Sequence, residues 1–153
     1  MSKSNSPYRK PEDAWRVTEN GVELTYPIFH HDPTSTDDPI IKKSIEEVIG
    51  DLDFYGWKGG DEDRIIDSNG NVFIAKFEET RGTALLIITT TQQSGVFPGD
   101  VERKMDISEI KEIMHAGIER NEISITSDID ELHQTIDSMN SIKDILMKCG
   151  EYF

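Results

Sequence analysis

The segment from Arg64 to Phe77 constrains the fold of this chain most strongly. Two apolar runs flank the turn-forming residues Asp67–Asn71, which contain an Asn-Gly pair. This pair readily takes the positive φ angles of a tight turn, and the second run alternates apolar and polar positions. The sequence therefore predicts a β-hairpin whose second strand has three side chains on one face: Phe73, Ala75 and Phe77.

A third strand is predicted directly after this hairpin. A turn at Glu79–Gly82 leads into Thr83–Thr91, where the run Ala84–Ile88 is apolar on both faces, as in the middle of a sheet. Together these elements form a three-stranded antiparallel meander. A separate N-terminal hairpin is predicted for Trp15–Tyr26, around the pair Asn20-Gly21.

Helices are indicated by apolar residues that recur every three or four positions and by capping residues before them. The first starts at Asp38 and Pro39, the second at Asp106, and the last at Ser127 or Asp128. The segment 27–38 contains two prolines and several Asp, Ser and Thr residues, and the segment 92–105 contains Gly and Pro and little periodicity; both compositions predict loops.

These elements predict an α+β fold, in which an antiparallel sheet carries about three helices on one side. Residues 1–11 are polar and predict a flexible tail, whereas residues 12–153 have the usual length of a single domain. Cys149 has no cysteine to pair with, and the sequence shows no signal-peptide pattern and no long apolar run. We therefore expect a soluble cytoplasmic protein.

The charge of the chain limits the partners that it can bind. Thirty acidic side chains face sixteen basic ones, for a formal net charge of -14. Nucleic acids and anionic membranes are repelled by such a field, because binding to them depends on Lys and Arg. A basic protein surface is attracted by it, so the expected partner is a basic protein.

No catalytic or cofactor-binding motif occurs in the sequence, and we expect no cofactor. The residues Asp67, Asn69, Asn71 and Glu78 follow the spacing of a calcium-binding EF-hand loop, but Val72 occupies the position that requires glycine. A hairpin turn is the preferred interpretation. The four histidines are not spaced as metal ligands in the sequence, since His30 and His31 are adjacent and the others lie on separate helices.

A short aromatic and acidic segment, 51–63, is the preferred candidate for partner binding. Three aromatic and five acidic residues are grouped there between glycines. Interfaces often contain Tyr and Trp within a polar rim, and carboxylates around them suit a partner rich in Lys and Arg. With one aromatic residue from the 92–100 loop, the predicted partner-binding residues are Asp51, Asp53, Tyr55, Trp57, Asp61, Glu62, Asp63 and Phe97.

In its size, acidity and lack of catalytic apparatus, the chain resembles bacterial immunity proteins that block toxin domains, including those of contact-dependent inhibition systems. The resemblance implies an inhibitor of a basic toxin or nuclease domain, and this is the leading hypothesis. Two alternatives remain open. One is a small metal-dependent or hydrolytic enzyme that uses His30, His31 and nearby Asp residues, and the other is a nucleic-acid mimic that presents carboxylates to a DNA-binding protein.

Overall fold

Five antiparallel strands form one sheet in the computed structural model, which describes residues 10–34, 38–55, 62–82, 91–121, 125 and 128–153. The strand order is β2-β1-β3-β4-β5. The strands are β1 (Ile28–His31), β2 (Ile40–Lys42), β3 (Arg64–Ile66), β4 (Asn71–Gly82) and β5 (Thr91–Lys104). The helices are α1 (Pro11–Ala14), α2 (Ile45–Ile49), α3 (Leu52–Tyr55), α4 (Ile107–Arg120), α5 (Ile129–Ser138) and α6 (Ile142–Cys149). The predicted α+β class is confirmed.

Both faces of the sheet are covered by helices. Successive residues of a strand point to opposite sides, so each strand contributes side chains to two cores. Phe29, Ile66 and Val72 lie in register across three strands and pack in one core with α4, α5 and α6. Ile65 and Phe73 lie in register on the other side, in a second core that includes residues of α1, α2 and α3. The prediction that the helices pack on one side is wrong, because α4–α6 cover one face and the short helices α1–α3 cover the opposite face.

The predicted hairpin at Asp67–Asn71 is confirmed. It joins β3 to β4, with Ile65 opposite Phe73, and Gly70 takes a φ of +82°. The Asp67 carboxylate is fully buried and accepts hydrogen bonds from the backbone N–H groups of Asn69 and Asn71, both at 3.0 Å. This side chain stabilises the turn from inside.

The predicted loop 92–105 is wrong, because most of it forms the long edge strand β5. Pro98, Gly95 and Gly99 favoured a loop in the sequence. An edge strand tolerates these residues, since only one of its sides needs backbone hydrogen bonds, and the ladder between β4 and β5 contains register shifts nearby. The strand predicted for Thr83–Thr91 lies outside the described residues except for Thr91, where β5 begins.

The helix predicted to start at Asp38 is also wrong in its first part. Ile40 and Ile41 pair with β1 as strand β2, which suits their branched side chains. Helix α2 begins later, where the side chain of Ser44 caps it by accepting a hydrogen bond from the N–H of Glu47. Asp38 instead forms an ion pair with Arg120 of α4 at 2.8 Å.

The N-terminal hairpin predicted for Trp15–Tyr26 is reduced to one antiparallel bridge between Val17 and Glu23. Gly21 does take the expected positive φ, +85°. Strand β1 lies in the segment predicted as the loop 27–38, so the five-stranded sheet replaces the predicted meander plus hairpin. The predicted tail lies outside the described residues up to residue 9, and α1 starts at Pro11.

The C-terminal helical segment is interrupted once. Asp128 caps α5, which ends before Met139, and Ser141 caps α6. The predicted cap of α4, Asp106, is confirmed by its hydrogen bond from the N–H of Glu109 at 3.0 Å. In the part of the chain that the structure describes, every helix is too short or too polar to cross a membrane.

Candidate protein-binding surface

The predicted binding segment 51–63 begins beside a lysine of β2. The Lys42 Nζ atom lies 2.7 Å from a carboxylate oxygen of Asp51 and 5.3 Å from the centre of the Phe54 ring. The hydrogen bond from Lys42 lowers the pKa of Asp51. The lowered pKa keeps Asp51 ionised, and since Lys42 neutralises its charge, the pair contributes little net negative charge to the surface.

Two of the predicted binding residues are buried. Phe97 packs in the core under α1–α3, and Asp63 is 4% exposed and lies 3.3 Å from the Nε2 atom of His30. Neither side chain is available to contact a partner in this conformation. Trp57 and Asp61 lie outside the described residues, and their role stays a prediction.

Besides Asp51, three of the predicted residues remain at the surface. Asp53 and Glu62 are exposed, and Tyr55 is half-buried. Tyr55 lies against β5, where a Cβ atom placed on Gly95 would come within 2.5 Å of the Tyr55 carbonyl oxygen. This close approach fixes the end of α3 on the sheet and leaves part of the tyrosine ring accessible.

Glu62 lines a cleft of about 270 Å³ between the sheet and the first half of α4. Two ion pairs lie in its wall. Arg64 Nε is 2.7 Å from Glu102, and Arg103 donates two hydrogen bonds to Glu109, at 3.0 and 3.1 Å. Because these pairs neutralise both arginines, the net charge of the cleft comes from its other two glutamates, Glu62 and Glu112.

His31 lies in the wall of the same cleft. Its Nδ1 atom is buried and has no hydrogen-bond partner among the described residues. Burial lowers the pKa of His31, and the neighbouring His30 lowers it further. The ring is therefore neutral near pH 7, and the field of the cleft is set by the carboxylates.

A second concave surface lies at the other end of α4. It is an open groove of about 470 Å³, lined by Glu119, Asp128, Ile129, Asp130 and His133. No Lys or Arg is among these lining residues. Glu112 and Glu119 are seven residues apart, so they share one face of α4 at a separation of about 10 Å.

Glu102 and Glu109 of the cleft are paired with arginines, and we call the remaining carboxylates that border the cleft and the groove the acidic strip. Among the described residues, none of them forms an ion pair with Lys or Arg. The nearby cations of α4 bind elsewhere, since Lys111 donates to the carbonyl of Asp137 and Arg120 binds Asp38. The acidic strip consists of Glu62, Glu112, Glu119, Asp128 and Asp130.

Two histidines meet between α4 and α5, next to the groove. The Nδ1 atoms of His115 and His133 face each other at 2.5 Å, with ring centres 4.7 Å apart. The Nε2 atom of His115 lies 2.8 Å from an Asp137 carboxylate oxygen. This hydrogen bond lowers the pKa of Asp137. The sequence placed these histidines on separate helices and gave no signal that they meet.

The histidines proposed for an enzyme do not converge. His30 lies near Phe54 and Asp63 on one face of the sheet, whereas His31 lies near Phe29 on the other. Asp32 accepts hydrogen bonds from the backbone and side chain of Thr34. In the described ranges, no three His, Cys, Asp or Glu side chains are arranged to hold a metal ion.

Cys149 is fully buried at the end of α6. Burial raises the pKa of its thiol to about 12, so the group is not a nucleophile at neutral pH.

Comparison with known proteins adds no relationship. No protein-family model, curated protein or solved structure significantly matches the chain. Except for Glu62, the acidic strip was missed by sequence reasoning, although the seven-residue spacing of Glu112 and Glu119 on a predicted helix was a usable signal.

Proposed function

We propose that this chain is an acidic inhibitory binding protein of the immunity type, which neutralises a basic toxin or nuclease domain by covering its positively charged surface. The acidic strip is the observation that carries this proposal. Its carboxylates border two concave surfaces and have no Lys or Arg ion-pair partner among the described residues. Carboxylates without a cationic partner are available to pair with Lys and Arg of another protein.

The charge of the strip acts mainly on the rate of association. Complementary charge raises association rates by roughly ten- to a thousandfold at low salt, and the effect weakens as salt screens it. Cleft and groove also give the surface a shape into which protruding Lys or Arg side chains fit. Buried ion pairs formed there slow dissociation when they are fully hydrogen-bonded.

The proposed interface extends over both concave surfaces. A standard interface covers about 800 Å² on each partner. The strip extends from Glu62 at the cleft, along α4, to Asp128 and Asp130 at the start of α5. Asp53 and Tyr55 lie on α3, on the opposite face of the sheet from α4, and form a separate candidate contact; Trp57 and Asp61 lie outside the described residues and stay predictions.

The proposal is tested by neutralising the strip without changing the fold. In the triple variant Glu62→Gln, Glu112→Gln, Glu119→Gln, three charges are removed from exposed side chains. Asp128 is left unchanged because its side chain caps α5. The matched control, Glu12→Gln, Glu23→Gln, Glu46→Gln, has the same change in charge at exposed positions away from the strip.

Wild type and both variants are used to capture partners from the native cell, and the captured protein is then purified for kinetics. We expect a basic partner that the control retains and the strip variant loses. The association rate should fall steeply with added salt for wild type and weakly for the strip variant. Co-expression of the wild type should abolish the partner's toxicity or nuclease activity. Equal capture by all three proteins, or a captured partner whose activity is unaffected, contradicts the proposal.

A further inference from the structure

His115 and His133 form a pair between α4 and α5, and Asp137 fixes the orientation of the His115 ring. The Asp137 carboxylate lies 2.8 Å from the Nε2 atom of His115, and in the neutral tautomer that donates this N–H the Nδ1 atom carries a lone pair. The Nδ1 atom of His115 faces the Nδ1 atom of His133. Asp137 is held in turn near Lys111, which donates to its backbone carbonyl at 2.9 Å.

We propose that His115 and His133 bind a divalent transition-metal ion, such as Zn²⁺ or Ni²⁺, through their Nδ1 atoms. Neutral imidazole nitrogens are the preferred protein ligands of these ions. A carboxylate that accepts the second ring N–H of a ligand histidine orients the ring and makes it a stronger donor. Asp137 occupies that position behind His115.

The rings need only a small movement to admit the ion. With Zn–N bonds of 2.0 to 2.1 Å and tetrahedral angles, two ligand nitrogens lie about 3.3 Å apart. The Nδ1 atoms lie 2.5 Å apart, so the distance between them must increase by less than about 1 Å. Both rings are only partly buried, and rotation about their side-chain bonds supplies this distance.

Water completes the coordination of the ion, and nearby carboxylates attract the ion to the groove without being its ligands. Glu119 is four residues after His115 on the same face of α4 and lines the groove that His133 also lines. Asp128 and Asp130 line that groove as well, so the local field favours a cation. A site with two protein nitrogens and exchangeable ligands binds its ion reversibly. The proposal does not depend on the identity of a protein partner.

The experiment uses the full chain without an affinity tag, titrated with Zn²⁺ in calorimetry and in NMR spectra of the histidine rings. We expect one ion per chain, with shifts confined to the rings of His115 and His133. His115→Gln and His133→Gln should each reduce the affinity at least tenfold. Asp137→Asn should reduce it by about ten- to a hundredfold, the usual effect of losing a carboxylate behind a ligand histidine. His31→Gln is the matched control and should bind as wild type does.

If His115 and His133 only share a proton between their rings, the protein binds no Zn²⁺ at millimolar concentration in the titration. This outcome overturns the proposal. So does binding that persists unchanged in both histidine variants, which would place the ion on surface carboxylates. If a histidine variant fails to fold, the ring shifts of the wild-type protein decide, because they report directly which histidines receive the ion.

Discussion

The Asp67 carboxylate accepts a hydrogen bond from the backbone N–H of Thr25 at 3.1 Å, across 42 positions of the sequence. The same side chain accepts the N–H groups of Asn69 and Asn71 within its own turn. One buried carboxylate thus joins the β3–β4 hairpin to the segment that leads into β1. Since a negative charge on the carboxylate strengthens each of these hydrogen bonds, the turn and the neighbouring chain are stabilised together.

We expect Asp67→Ala to lower the free energy of unfolding by about 3 kcal/mol, because three backbone N–H groups lose their acceptor in a buried place. Urea unfolding followed by circular dichroism measures the change. The control Asp53→Ala removes an exposed carboxylate and should change stability by less than about 0.5 kcal/mol. Similar losses for the two variants would show that Asp67 does not stabilise the turn in this way.

Gly70→Ala and Gly21→Ala form a matched pair for the effect of crowding. Both glycines have a positive φ, +82° and +85°, so alanine strains the backbone equally, by about 1 kcal/mol. A Cβ at Gly70 would also lie 2.6 Å from the carbonyl oxygen of Met105, whereas at Gly21 nothing lies within 4 Å. We therefore expect Gly70→Ala to cost roughly 1–3 kcal/mol more than Gly21→Ala in urea unfolding. Equal costs would mean that the backbone at Gly70 shifts freely.

The stability of the fold should depend on pH through His31. Its pKa is lowered in the folded protein, chiefly by burial, so the unfolded chain binds a proton more readily. Stability from this residue is complete above the ordinary histidine pKa of about 6.5 and is lost as pH falls through its lowered folded-state pKa. His31→Gln should remove this dependence. Unfolding free energies of both proteins, measured on either side of that pH, test this; a constant difference between them excludes the effect.

The thiol of Cys149 should be unreactive in the folded protein. Burial excludes reagents from it and raises its pKa to about 12, so almost no thiolate exists at neutral pH. We expect a thiol-specific reagent such as DTNB to react only at the rate of unfolding, and rapidly once urea is added. Rapid reaction without denaturant would show that α6 opens readily from the core.

Local signals in the sequence predicted the elements in which neighbouring residues decide the conformation. The turn at Asp67–Asn71 and the α4 cap at Asp106 depend on side chains and backbone groups only a few positions apart. For the same reason the predictions failed where the conformation of a segment depends on a segment that is distant in the sequence. Ile40 and Ile41 suit either a helix or a strand, and β1 decides between them.

The candidate site also combines residues that the sequence predicted correctly with residues whose position only the tertiary structure decided. Sequence reasoning selected Asp53, Tyr55 and Glu62, which lie at the surface, together with Asp63 and Phe97, which are buried. An acidic or aromatic residue can lie at the surface or in the core, and its neighbours in the folded structure decide which. The acidic strip brings Glu62 close to the carboxylates of α4, about fifty residues later.

The sequence by itself determined the acidic charge, the antiparallel α+β class, the hairpin at the sheet centre and the cap of α4. Each follows from composition or from contacts within a few residues. Only the tertiary structure decided that 92–105 is mostly an edge strand, that Asp63 is buried beside His30, and that His115 meets His133. These relationships join residues distant in sequence, and packing and hydrogen bonding between whole elements, not local preference, set them.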